Sequence, residues 1–203
     1  MKIYLQIFLV LIFPVALLVF GIVPLNSRGY VLSFAVLGAT IFAITEKTSL
    51  KSLGIRFDNF KMSLLPYTLF TTLGVIGLFL AANFLGQKPV DQWWTYSHLQ
   101  WAFLPISFVQ ELAYRAYFQT KLQRRVKPFL AILVIAFLYS GMHILWKDPL
   151  ILAMAFVGGL SWGYLWYKYP NLILLVLSHS ILNFLAIYLN FFPWLITEFF
   201  SLK

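Results

Sequence analysis

The feature that most constrains this chain is a series of apolar runs, each near the ~20 residues an α-helix needs to cross the hydrocarbon core of a bilayer. Bounded by charges or turn residues, seven such runs divide the 203 residues: Ile3 to Val23, Gly29 to Ile44, Ser63 to Leu85, Leu99 to Leu122, Phe129 to Trp146, Leu150 to Tyr167 and Leu172 to Phe191. The tail from Phe192 to Leu202 is apolar but short, so an eighth span and an interfacial helix are both open. Charged residues make up only 10% of the chain, against about 25% in soluble domains, which excludes a soluble protein. The expected fold is an all-α polytopic integral membrane protein, a bundle of seven or eight transmembrane helices with a buried polar cavity. Residues 1–203 are expected to form a single integral membrane domain. Lys2 followed by the apolar run to Leu25 has the charge order of a signal peptide but lacks a small-x-small cleavage site, so it reads as a retained first span.

The net charge of +9 does not point to nucleic acid, because the basic residues cluster in short loops between apolar runs, where membrane orientation explains them. With the amino terminus cytoplasmic, the inside collects Lys2, Lys47, Lys51, Arg56, Lys61, Lys121, Arg124, Arg125, Lys127 and Lys168, which is ten of the fifteen basic residues. The outer loops then hold Arg28, Lys88 and Lys147. The absence of cysteine excludes disulfides, thiolate metal sites and a cysteine nucleophile.

The stretch SLKSLGIRFDNFKMSLLP mixes Leu50, Leu53, Ile55, Phe57, Phe60 and Met62 with charges and suits a connector lying on the membrane surface. In QWWTYSHLQW, Trp93, Trp94, Tyr96 and Trp101 stand where an aromatic belt would anchor the fourth span, with His98 an interfacial histidine. Ala155, Gly159 and Gly163 recur at intervals of four, a small-residue face that allows close helix approach.

Three spans carry polar groups that are costly in lipid, and each carries them four residues apart, on one face of its helix. They are Glu111 with Arg115, Tyr139 with His143, and His179 with Asn183. A single such pair would read as a salt bridge offsetting its own burial, or a histidine bonding a neighbouring helix. Three together suit chemistry. A carboxylate and an imidazole can deprotonate water, a second imidazole and an amide can stabilise an oxyanion, and an arginine can offset the charge of the carboxylate. That set serves hydrolysis of an acyl bond without a covalent intermediate. No serine stands in a nucleophile elbow and no HExxH motif is present. A His₂Glu metal site from Glu111, His143 and His179 is the alternative. A transporter or proton relay, and a membrane scaffold without catalysis, are further readings of the same residues.

QELAYR, YSGMH and HSILN, beginning at Gln110, Tyr139 and His179, resemble the EExxxR, FxxxH and HxxxN motifs of the CPBP family of intramembrane proteases (CAAX protease and bacteriocin-processing, or Abi), in the family's order. The resemblance covers roughly Trp101 to Leu189, with a catalytic core at about 99–191. It implies a helical bundle around a buried cavity, and an endopeptidase that hydrolyses a peptide bond in a membrane-anchored or lipidated protein substrate. The implied partners are that substrate and the lipid bilayer, with no nucleic acid and no cofactor. The implied setting is a prokaryotic inner (plasma) membrane.

Carried over residue by residue, Gln110 falls on the first glutamate, the water-activating base, Glu111 on the second glutamate, and Arg115 on the arginine. His143 would position or activate the water, and His179 and Asn183 would stabilise the oxyanion. Tyr139 replaces a phenylalanine and keeps its ring. Gln110 replaces a group that can accept a proton with one that does not titrate. Three explanations follow: Glu111 is the base; the chain is an inactive relative serving as a scaffold or bacteriocin-immunity protein; or a glutamate has been exchanged at this position.

Overall fold

A chain in lipid must satisfy its backbone polar groups within each span, which favours helices. In the computed structural model, which describes residues 2–24, 27–93 and 103–192, seven helical runs and no strand occur among the described residues. They are α1 (Lys2–Val19), α2 (Arg28–Thr45), α3 (Phe60–Phe84), α4 (103–122), α5 (Pro128–Trp146), α6 (Pro149–Lys168) and α7 (Leu172–Tyr188). Each matches one of the seven apolar runs. By length and composition α1, α3, α5 and α6 can each cross a membrane, and the chain is a helical integral membrane protein.

The first helix stops at Val19, short of the expected Val23, because the chain turns at Gly21, whose φ of +68° favours glycine. The tail from 193 onward lies outside the described residues, as do Trp94, Tyr96, His98 and Trp101. Trp93 packs edge-on against Phe184 (5.6 Å between ring centroids) and Tyr188 (6.1 Å).

The helices group into two compact units, Met1–Arg56 with Gln110–Leu172, and Phe57–Val109 with Ile173–Lys203. In the first, α5 and α6 are joined by a short link. Lys147 adopts a left-handed φ of 54°, Asp148 caps α6 by accepting from Leu150 N at 2.8 Å, and Pro149 opens the helix. The two helices then run close together along the small-residue face. A Cβ at Gly159 would stand 3.1 Å from Ala136 Cα, and one at Gly163 would stand 3.0 Å from Ile132 Cγ2. The expected close approach is thus found. Gly159→Leu should destabilise the protein by about 1–3 kcal/mol or more, read as a lower melting temperature in detergent. Gly77→Ala is the control, since a Cβ there meets nothing within 4 Å.

The connector after α2 is pinned to the same unit. At Gly54 (φ +72°) a Cβ would lie 2.3 Å from the Trp166 ring, while Gly54 O accepts from Leu172 N at 2.9 Å. Leu53 is buried, whereas Leu50 is exposed, as suits a surface-lying segment.

In the second unit, α3 exposes Leu65, Leu69, Leu73, Leu80 and Phe84, an apolar surface suited to lipid. Its other side meets α7. Thr71 Oγ1 donates to Ser178 Oγ at 2.8 Å, and a Cβ at Gly74 would stand 2.9 Å from the Leu182 side chain.

Candidate active site

The site begins where α4 changes its winding. Phe103–Glu111 is α-helical, and Leu112–Gln119 is a π-helix, a wider turn often found at functional sites. Glu111 ends the α-helical part, and Arg115 lies within the π segment. Both side chains are fully buried, and Arg115 Nη1 donates to Glu111 Oε1 at 3.0 Å. Burying either charge alone costs several kcal/mol, so the pair is a condition of its own burial.

Aromatic rings complete the surroundings of the guanidinium. Its carbon lies 4.4 Å from the centroid of Tyr139 and 5.9 Å from that of Tyr114, within cation–π range. Among the described residues Arg115 Nε and Nη2 have no hydrogen-bond partner. Tyr114 is held by donating to Met142 Sδ and by an edge contact with Tyr139 at 5.4 Å.

Tyr139 carries the connection on to His143. The two rings are 5.0 Å apart and inclined at 63°, and His143 Nδ1 lies 2.9 Å from Tyr139 O. A carbonyl oxygen only accepts, so Nδ1 carries the proton and Nε2 is the basic nitrogen of the neutral ring. His143 ends the α-helical part of α5 and opens a short 3₁₀ turn, His143–Trp146. There it is half-buried and stands 5.5 Å from the Trp146 ring. The first unit therefore places Glu111, Arg115, Tyr139 and His143 in one unbroken chain of neighbours. Gln110 is half-buried, and its Oε1 has no hydrogen-bond partner among the described residues.

His179 and Asn183 lie one turn apart on α7, in the second unit. His179 is fully buried and Asn183 half-buried. Serines on either side fix the register of this turn: Ser178 meets Thr71 of α3, and Ser180 Oγ donates to Val176 O (2.7 Å) and Phe103 O (3.3 Å). Within neither unit do three His, Asp or Glu side chains among the described residues gather as a metal-ligand set.

Sequence reasoning missed several side chains that build these surroundings. Tyr114 gave no signal beyond being one aromatic among many. Gln119 is buried within α4 and donates to Gly163 O at 2.7 Å, a bond the spacing of the small residues did not announce. Thr71, Ser178 and Ser180 are polar residues in apolar helices and could have been singled out on that ground.

Residues 92–185 match the family model described as Rce1-like, type II CAAX prenyl endopeptidase Rce1-like. No curated protein and no solved structure matches the chain. The matched segment spans Gln110 to Asn183 and so holds all three motifs, in agreement with the CPBP resemblance read from them. Over residues 92–185 the chain is accordingly similar to the Rce1-like family.

Proposed function

We propose that this protein is an intramembrane endopeptidase that hydrolyses a peptide bond in a membrane-anchored or lipidated protein, using water activated by Glu111 and His143. The observation that carries this reading is the fully buried Glu111–Arg115 pair, tied through Tyr139 to His143 inside an Rce1-like segment. Glu111 takes a proton from water, and the resulting hydroxide attacks the scissile carbonyl. Arg115 offsets the carboxylate charge and holds its orientation. His143 Nε2 accepts a hydrogen bond from the water, since Nδ1 is engaged with Tyr139 O. His179 and Asn183 take the family's role of donating to the oxyanion, and the proton held by Glu111 passes to the leaving amine. No metal or other cofactor enters this scheme. The excess of basic residues on one side of the spans supports an amino terminus on the cytoplasmic side of the membrane.

Gln110 favours a second reading, in which the scaffold is kept without catalysis, because it stands where the family has its base. The exchange Gln110→Glu separates the two. With Glu111 as base, Gln110→Glu should change the cleavage rate of a prenylated carboxy-terminal peptide by less than about tenfold, since the essential proton acceptor is already present. Cleavage that appears only in Gln110→Glu would assign this chain to the inactive relatives.

A further inference from the structure

Glu46, immediately after α2, accepts from four side chains in the first unit. Gln6 Nε2 (2.9 Å) and Lys2 Nζ (3.0 Å) meet Oε1, while Tyr117 Oη (3.1 Å) and Lys121 Nζ meet Oε2. Beside this carboxylate opens a cavity of about 340 Å³ lined by Lys2, Ile3, Gln6, Glu46, Lys121, Arg124 and Arg125. Four cations therefore face one anion. Both lysines are engaged by Glu46, whereas Arg124 and Arg125 are exposed and form no ion pair among the described residues. The cavity thus keeps an uncompensated positive charge, concentrated on two guanidinium groups whose planar donors suit phosphate oxygens.

The surroundings say where such a phosphate comes from. On α1, next to the lining residues Lys2, Ile3 and Gln6, the residues Tyr4, Leu5 and Phe8 are exposed and apolar. A ligand with an anionic head in the cavity and hydrocarbon along α1 satisfies both surfaces at once. We infer that this cavity is a binding site for the phosphate headgroup of an anionic membrane lipid, held by Arg124 and Arg125 with Lys2 and Lys121 at its edge. Basic pockets beside membrane helices recognise anionic headgroups by this chemistry. The site uses none of the residues assigned to hydrolysis.

The test is native mass spectrometry of the full-length protein in detergent, with phosphatidylglycerol and phosphatidylcholine in competition and inorganic phosphate added separately. Wild type should retain phosphatidylglycerol over phosphatidylcholine, and R124Q/R125Q should lose that preference by roughly tenfold or more. R124K/R125K should keep most of it. The two arginines are exposed, so both variants should melt at the wild-type temperature. Equal retention of the two lipids by wild type, or an undiminished preference in R124Q/R125Q, overturns the inference. Displacement of the lipid by millimolar inorganic phosphate would assign the cavity to that ligand and overturn it as well.

Discussion

Glu111→Ala should lower peptide-bond cleavage by about 10³-fold, with KM little changed, because it removes the group proposed to take the proton from water. The expectation rests on where the carboxylate sits. It is fully buried, Arg115 holds one oxygen at 3.0 Å, and the Tyr139 ring under the guanidinium leads directly to His143. In such a dry site a positioned carboxylate replaces a hydroxide that neutral water supplies only sparsely. Glu111→Gln is the sharper variant, since it keeps shape and hydrogen bonding while deleting the proton acceptor. It should be as inactive as Glu111→Ala and melt closer to the wild type. Steady-state cleavage together with thermal melting checks both parts. Activity of Glu111→Gln within tenfold of wild type would remove Glu111 from the role of base.

The second large effect is on stability. Arg115→Met should cost about 3–5 kcal/mol, because it leaves a carboxylate buried without its counter-charge. Loss of the guanidinium over Tyr139 adds on the order of 1 kcal/mol. The double variant Glu111→Gln/Arg115→Met should recover most of that loss, since two neutral side chains then fill the same volume. Unfolding in denaturant, followed by intrinsic tryptophan fluorescence, measures the three variants against wild type. If Arg115→Met and the double variant are equally destabilised, the loss belongs to packing around Tyr114 and Tyr139 rather than to the bared charge.

Much of this architecture could be read from the chain because lipid simplifies the problem. Each apolar run must satisfy its own backbone bonds, so run boundaries become helix boundaries to within a few residues. The end of α1 at Val19 rather than Val23 was hidden because apolarity continues through the turn at Gly21. Polar side chains in the runs were conspicuous for the same reason, and four-residue spacing correctly put Glu111 and Arg115 within reach of one another. What spacing could not reveal was the change of winding just beyond Glu111. Nothing in LAYRAYFQ marks a π-helix, since that geometry depends on what packs around Ala113 to Gln119. The link from Arg115 through Tyr139 to His143 was equally hidden, because it depends on how α4 and α5 pack rather than on the spacing within either. The clamp on Glu46 was missed because Lys2, Gln6, Tyr117 and Lys121 lie far apart in sequence, although an acidic residue at the end of an apolar run was a usable signal.

The proposed hydrolysis is tested most directly by incubating the purified, lipid-reconstituted protein with a prenylated carboxy-terminal peptide in excess chelator and identifying products by mass spectrometry. The prediction is a new carboxyl terminus produced by wild type, undiminished by the chelator and absent with Glu111→Gln. A peptide left intact by wild type, whether or not Gln110→Glu cleaves it, or cleaved equally by Glu111→Gln, would contradict it.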